Sequence, residues 1–590
     1  MLNTSMRPAR WLLLSCLLAA CATSPASKTS ARDAWVEQTL ASLSLREKVG
    51  QLMMPWVAGN YVALDSEDFD TLVAWVERDG IGGLVMSVGM PHSYAAKLNA
   101  LQRRARVPLL VASDMENGPG MRMGGIYSFP HLLAQDGGTE FPSTMAIGAT
   151  GSDSLAYALG RATAREARAV GVHMVFGPVL DVNSNPANPI INTRAFGEQP
   201  EQVARLALAY MRGAHDGGLM TTGKHFPGHG DTDRDSHIDL PTISANRARL
   251  DSVELAPFRA AIEQDIDAIM TAHIAVTGVE GEQAPPATLS RFIMTDLLRD
   301  QLHFRGLLIT DAMTMGAVVR RYGEKEAVLQ ALDAGADIVL MPVNLPRAIA
   351  TVVEAVESGR ITTARIDASV RRILQAKVRA GVTRNRLVEL DSVASNVGIR
   401  AHRELAQTIA QRSLTLLRDT SAQLPLPDSV RSILSLTYVG VQDPVAGRAF
   451  DRALRAGGRQ VRARRIDART TASELEALRA EADSADVTVV SMYISPVEYA
   501  GSIQAGNVFT EFITQLATNG KPVIAISFGS PYVISALPDV SAYLLAWSGV
   551  PVSQRAAAQA LLGLAPISGK LPVSIPPHFV RGDGLMVDTR

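Results

Sequence analysis

Disulfide staples are missing from this chain: its 590 residues hold two cysteines, Cys16 and Cys21, both at the extreme N-terminus. Charge of one sign is missing as well, since 57 basic residues face 58 acidic ones for a formal net charge of -1. Without a basic excess there is nothing to neutralise a phosphate backbone, so nucleic acid is set aside as a partner. Beyond Cys21 no run is long and apolar enough to cross a bilayer. Short-period repeats and low-complexity tracts are absent too, which argues against a solenoid or a disordered array.

What is present is a chain with 47% hydrophobic and 19% charged residues, enough to bury a large core and too long for one ordinary domain. Its start reads differently: Arg7 and Arg10 precede a short apolar run from Trp11 to Ala20 that ends at Cys21, the pattern of an export signal. Leu18-Ala19-Ala20-Cys21 is similar to the bacterial lipobox, which implies cleavage before Cys21 and a lipid on its sulfur. Removal of Cys16 with the signal then leaves Cys21 without a disulfide partner. An ordinary cleaved signal ending near Ala22-Thr23-Ser24 is the other reading. The expectation is a lipoprotein signal over 1–21, a polar tether over 22–33, and a place in the bacterial cell envelope with membrane contact through the anchor only. Ala22 lacks the aspartate associated with inner-membrane retention, so the resemblance points to the outer membrane or the periplasmic face.

From about residue 34 to 382, short apolar runs alternate with helical patterns, the signal of repeated βα units around a parallel sheet. The expected strands are Gly83–Ser87, Pro108–Asp114, His173–Pro178, Gly218–Thr222, Ala268–His273, Gly306–Asp311 and Ala336–Met341. Several end in, or shortly before, a titratable group: Asp114, Asp181, Lys224 with His225, His273 and Asp311. In a (β/α)8 barrel the C-terminal strand ends converge on one face, so a TIM-type barrel with a polar mouth is the simplest arrangement. An open doubly wound sheet seldom uses so many consecutive units. The pattern loosens over 383–402, read as a linker. A smaller α/β sandwich domain over 403–578 follows, with strands at Ser432–Tyr438, Val487–Met492, Pro522–Ser527 and Ala542–Trp547, and a tail over 579–590.

The densest chemistry lies between Lys224 and His237, where three histidines, three aspartates and a lysine occur in fourteen residues with two glycines and a proline. Three readings compete. His225, His229 and His237 with nearby aspartates are possible metal ligands, although the spacing matches no helical zinc signature. Lys224 after a barrel strand could form a Schiff base if burial freed its amine, as in a lyase. Asp235 and His237, two apart in an extended loop, could form a dyad in which the carboxylate holds one ring nitrogen and the other faces the substrate.

Lys224-His-Phe-Pro-Gly-His-Gly230, four residues, then Asp235-Ser-His237 resembles, at every fixed position, the signature of the N-acetylglucosaminidase branch of glycoside hydrolase family 3. Phe176–Asn183, Asn188–Glu198 and Gly306–Met313 look like further family segments in the family's order, and Gly569–Pro576 resembles the closing motif of two-domain members. The resemblance implies Asp311 as nucleophile, His237 oriented by Asp235 as acid/base, and Asp114, Arg194, Lys224 and His225 as the grip on sugar hydroxyls. Around Asp114 the branch shows Asp-x-Glu-Gly-Gly, whereas this chain has Asp114-Met-Glu-Asn-Gly-Pro-Gly120.

The implied activity is a retaining, exo-acting β-N-acetylhexosaminidase on amino sugar glycosides, needing no metal and no organic cofactor. The chemistry fits: a carboxylate beneath the anomeric carbon stabilises an oxocarbenium-like state and then traps it. An imidazole titrates near neutrality, so its protonated form can supply the proton, and when neutral it places no second negative charge beside Asp311. The rival within the fold is a β-glucosidase or β-xylosidase whose acid/base is a second-domain carboxylate, with Glu498 and Glu511 as candidates. The rival outside it is a non-catalytic glycan-binding lipoprotein, and phosphate in place of water is a further variant.

Overall fold

The computed structural model describes residues 25–124, 127–128, 133–134, 137–236, 238–420, 422–440, 443–496, 505–537 and 540–590. The first of the two domains is a closed parallel barrel. Seven strands form one sheet in the order Leu307–Ile309, Ala268–Thr271, Met220–Phe226, Met174–Val175, Leu110–Ser113, Gly83–Met86 and Trp56–Val57. Val339–Leu340 closes the ring: it pairs in parallel with Met53–Met54, and the Ile309–Ile338 bridge joins it to the other edge. These strands are short and almost wholly buried, because helices cover one face and the barrel interior the other.

Each of the seven expected barrel strands falls on an observed one, and the eighth, Met53 to Val57, is an addition. Pro55 interrupts it and has no N–H for the ladder, which hides the strand from a pattern reading, yet its carbonyl still accepts from Val85 N at 2.9 Å. The helices bury one stripe each. Pro200–Asp216, for example, covers Val203, Leu206, Ala207, Tyr210 and Ala214 and starts with proline in its first turn. The helix Pro25–Ser42 takes in residues expected to form the tether. Among the described residues no helix is long and apolar enough to cross a membrane.

One register feature matters for the site. The strand Met220–Phe226 extends four residues beyond the expected Gly218–Thr222, so Lys224 and His225 lie on the strand itself and not after it. Against its neighbour, Ile269 pairs with Gly223 but Thr271 pairs with Phe226, a shift at this point in the ladder. Successive residues of a regular strand face opposite ways, whereas at this irregular point Lys224 and His225 both line the barrel mouth.

The second domain is a six-stranded sheet ordered Thr415–Asp419, Ala542–Leu545, Val523–Ser527, Val487–Tyr493, Ser432–Val439 and Gln460–Ile466, parallel except for the first pair. Alternation sorts its side chains. Ile433, Val487, Val489 and Ile524 join the large core, whereas Leu434, Val490 and Ala525 meet Phe509, Phe512 and Leu516 on the opposite face. The edge strand Gln460–Ile466 was not foreseen, because its Arg-rich, mostly exposed sequence lacks an apolar face. The two domains are clamped where their family-like segments meet: the Glu198 carboxylate accepts from Ser574 N and Ser574 Oγ, both at 2.7 Å.

Candidate active site

The loops after the barrel strands enclose a cavity of about 570 Å³ at the C-terminal mouth. Asp114, Arg194, Lys224, His225 and Asp311 all line it, so five residues spread over nearly 200 positions of sequence converge. Asp235 is buried one residue from Ser236, which does line the cavity. His237 and Cys21 lie outside the described residues.

The polar end of the cavity is an interlocked ion cluster. Lys224 Nζ donates to Asp114 Oδ1 at 2.8 Å and lies 2.7 Å from Glu116 Oε1. Arg194 forks onto the same Glu116, Nε to Oε2 at 2.9 Å and NH2 to Oε1 at 2.7 Å. Arg122 reaches Asp114 Oδ2 at 3.3 Å. Burial raises the pKa of the Asp114 and Glu116 carboxyls, but Lys224 with Arg122 and Arg194 with Lys224 outweigh it. Asp114 is held below, and Glu116 well below, the usual carboxylate range. Burial lowers the Lys224 ammonium, and Asp114 and Glu116 more than reverse this, so its pKa is raised. A permanently charged lysine is the opposite of what a Schiff-base nucleophile requires, which removes the lyase reading.

Glu116 is the residue the sequence reading missed. It follows Asp114 by two positions across a fully buried Met115, just past the end of the strand Leu110–Ser113, and both carboxylates meet Lys224. The Asp-x-Glu spacing was the available signal.

Behind this cluster Asp181 organises two histidines. Its Oδ1 accepts from His225 N at 3.1 Å and His229 N at 2.7 Å, and its Oδ2 faces His225 Nδ1 at 2.7 Å. Burial raises the Asp181 carboxyl, but the two imidazoles and the amides bring it below its ordinary value. An ionised Asp181 can only accept, so His225 Nδ1 carries a proton towards it, and His225 Nε2 lies 3.3 Å from Arg194 NH2. His229 is committed elsewhere, Nδ1 to Thr232 Oγ1 at 2.8 Å and Nε2 to Ser236 Oγ at 3.2 Å. Among the described residues no three His, Cys, Asp or Glu converge as a metal cage.

The loop that carries these groups needs its glycines. Gly228 has φ +129°, and a Cβ on Gly230 would sit 1.7 Å from Val182 O. Through His229 and Ser236 the loop is tied down beside Asp235. Burial first, then the field of His225, lowers the His229 pKa to about 4. The folded value therefore lies below the ordinary 6.5, and between those values the unfolded chain takes a proton that the fold refuses. The His229 contribution to stability is therefore lost as pH drops from 6.5 towards 4.5. A series of melting temperatures over that window should show a shallower decline in His229→Gln; an unchanged slope would mean that His229 is not the group responsible. His173, also buried and held well below its ordinary value, leaves a residual slope.

Asp311 sits at the far side of the cavity, after the strand Leu307–Ile309. Its Oδ1 accepts from Ala312 N at 2.8 Å, and His273 Nε2 lies 3.0 Å from Ala312 O, so the backbone of the following residue is held on both sides. Burial raises the Asp311 carboxyl, but His273, His225, the Ala312 amide and Lys224 outweigh it and keep it below its ordinary value. It is an ionised carboxylate facing a cavity whose other end is a set of fixed donors.

The second domain contributes Ser495, Pro496, Trp547 and Ser548 to the wall, a part for which the sequence carried no signal. Trp547 is fully buried with φ +65°; its Nε1 donates to Ser413 O at 2.7 Å and its carbonyl accepts from Ser143 Oγ at 2.9 Å. Asn183 to Tyr532 Oη at 2.8 Å and Asn192 to Ser530 Oγ at 3.3 Å fasten the same side.

A parallel barrel with an ionised strand-end carboxylate opposite a cluster of fixed hydrogen-bond donors defines an enzyme that handles hydroxyl-rich substrates. Comparison with known proteins gives the family. The profile described as "Glycosyl hydrolase family 3 N terminal domain" matches residues 44–376, and that of the "Glycosyl hydrolase family 3 C-terminal domain" matches residues 414–583. The chain belongs to glycoside hydrolase family 3. It is similar to a beta-N-acetylglucosaminidase/beta-glucosidase of Cellulomonas fimi, 28% identical over 92% of this chain and 95% of that one. Among solved structures it resembles a family 3 beta-N-acetylglucosaminidase from Paenibacillus sp. str. FPU-7, with TM-score 0.79 and 34% identity over 90% of this chain and 99% of that one. It also resembles a beta-glucoside phosphorylase, with TM-score 0.80 and 26% identity over 92% and 96% of the two chains.

Proposed function

We propose that the protein is a retaining, exo-acting β-N-acetylhexosaminidase that releases terminal N-acetylglucosamine-type sugars. The observation that carries the reading is the pairing, in one cavity, of the ionised Asp311 with the Asp114, Glu116, Lys224 and Arg194 cluster. The cluster gives donors and acceptors for the hydroxyls of a terminal ring, and its charges are fixed by one another, so they need little rearrangement when substrate arrives. Asp311 attacks the anomeric carbon while the glycosidic oxygen takes a proton and departs. Water then releases the sugar from the aspartyl ester, and two inversions leave the configuration unchanged.

His237, oriented by Asp235, is the proposed acid and then base. In support, Ser236, its neighbour in sequence, lines the cavity and is hydrogen-bonded to His229. Preference for the acetamido sugar draws on the motif together with the names of the Cellulomonas and Paenibacillus relatives. The lipid anchor at Cys21, and with it an envelope location, is proposed on the lipobox resemblance.

A second reading has one observation in its favour. Ser495 and Pro496 line the cavity just before Glu498, which lies outside the described residues, so a second-domain carboxylate could serve a glucoside. Glu511 has no such support: it is exposed and does not line the cavity. The deciding assay compares chromogenic N-acetyl-β-glucosaminide with its β-glucoside, with and without phosphate, for wild type, His237→Ala and Glu498→Gln. The expected result is preference for the acetylated sugar with a loss of about 10²–10⁴-fold in His237→Ala and a small effect in Glu498→Gln. Glucoside preference with the large loss in Glu498→Gln would overturn it.

A further inference from the structure

The pole of the barrel opposite the catalytic mouth is closed by the helix Thr363–Arg379. Arg365 NH2 donates to Ala336 O at 2.7 Å and Arg372 NH1 to Asp337 Oδ1 at 2.9 Å. The fully buried Lys377 donates through Nζ to Gln51 Oε1 at 2.6 Å, and Arg379 NH1 reaches Asp267 Oδ1 at 3.2 Å. These partners stand just before the eighth, first and sixth strands. All strands of a parallel barrel start at one pole, so this helix lies across the floor and not along the flank.

The helix Pro25–Ser42 packs on the outside of that floor helix. Its Glu37 accepts from Arg371 Nε at 2.6 Å and from Arg371 NH2 at 2.9 Å, while Val36 and Leu40 are buried in the large core. Its last turn is fixed at the same pole, where Arg106, ahead of the third strand, donates from NH2 to Ser42 O at 3.1 Å. Because the helix begins at Pro25, the tether expected over 22–33 shrinks to three residues between it and Cys21. Helix from Glu37 back to Pro25 spans about 18 Å, and an extended link on to Cys21 adds at most about 14 Å. That reach starts under the floor, whereas the mouth and the second-domain wall stand at the other pole.

The floor is also basic along one arc of its rim. Ahead of the first three strands, Arg46, Arg78, Arg103, Arg104 and Arg106 are exposed, and only Glu47, Glu77 and Asp79 oppose them there among the described residues. An arc of excess guanidinium groups is attracted to a layer of anionic lipid headgroups. We propose that the barrel floor is the membrane-facing surface of this protein, with the arginine arc on the headgroups and the catalytic mouth turned away from the bilayer. The inference rests on the proposed lipid anchor at Cys21 and deepens it. Substrate then enters from the aqueous side, as a soluble or polymeric glycan, and sugars linked to lipids of the same bilayer lie out of reach.

In the mature lipoprotein Cys16 is gone and Cys21 is acylated, so one introduced cysteine is the sole free thiol. The test places a fluorophore on Arg103→Cys at the floor, or on Val88→Cys or Val343→Cys, exposed positions that follow the second and eighth strands at the mouth. Each full-length lipidated chain is put into phosphatidylglycerol–phosphatidylethanolamine vesicles carrying a rhodamine lipid, and energy transfer to the bilayer is measured. Transfer from the Arg103 position should be about threefold or more that from either mouth position, given the short reach of the link. Replacing phosphatidylglycerol by phosphatidylcholine should lower the floor signal, and no change would remove the arginine arc from the contact. Equal transfer from floor and mouth, or stronger transfer from the mouth, would overturn the orientation while leaving the anchor standing. If the unlabelled wild-type chain, expressed with its signal, stays in the soluble fraction as Cys21→Ser does, the anchor reading fails and takes the orientation with it.

Discussion

Asp311→Asn is expected to lower kcat by about 10⁴-fold or more while leaving the fold intact. The asparagine side chain has the same shape, and its carbonyl oxygen can still accept from Ala312 N, the bond Asp311 makes at 2.8 Å. What disappears is the negative charge that an oxocarbenium-like transition state needs beneath it and the oxygen that would form the glycosyl ester. A second variant makes the assignment specific. Asp311→Ala opens room below the anomeric carbon, and added azide should partly restore turnover of an activated aryl glycoside. Because azide attacks once, from the vacated side, the product should be the α-glycosyl azide, whereas wild type should give the β sugar. Full activity in Asp311→Asn, or a β-configured azide product from Asp311→Ala, would place the nucleophile elsewhere.

Glu116→Ala should damage both stability and catalysis. The Glu116 carboxylate is almost fully buried between two cations, 2.7 Å from Lys224 Nζ and bound by both Arg194 nitrogens. Removing it leaves two like charges with Asp114 and, for Arg194, Asp181 as the remaining nearby carboxylates, and breaking such a buried pair costs about 3–5 kcal/mol. The expected result is an earlier denaturant midpoint for the barrel together with a fall in kcat/KM of about 100-fold, since Lys224 and Arg194 lose their alignment. Glu116→Gln, which keeps the shape but not the charge, should fall between. The folded pKa of Glu116 lies well below the ordinary 4.5, so the wild-type contribution is complete above that pH and is lost as pH falls through the folded value. The midpoint difference between wild type and Glu116→Ala should therefore narrow on acidification. Unchanged midpoint and kcat/KM would show that the cluster does not depend on Glu116.

The alternation of buried strands with amphipathic helices, legible from composition and pattern, is enough to specify a barrel followed by a second α/β unit, because burial on both strand faces forces continuous apolar runs. The same local signals placed Asp114, Lys224 and Asp311 near strand ends, and a strand end in a barrel has one destination. Patterning is silent where an element lacks its usual signature. Met53 to Val57 is broken by Pro55, and Gln460–Ile466 carries arginines in place of an apolar face.

Three features were decided only by the tertiary structure. The ladder shift near Lys224 depends on a neighbouring strand, and it falls where two adjacent side chains reach the same mouth. Glu116 became central because Arg194 and Lys224, 78 and 108 positions away, close on it from different loops. The wall from the second domain depends on contacts such as Ser143 to Trp547, 404 residues apart. Sequence fixes which groups can ionise, donate or pack, since these are properties of each side chain and its near neighbours. Which of them share a cavity, and hence whose charge sets whose pKa, follows from distances that exist only once the chain has closed on itself.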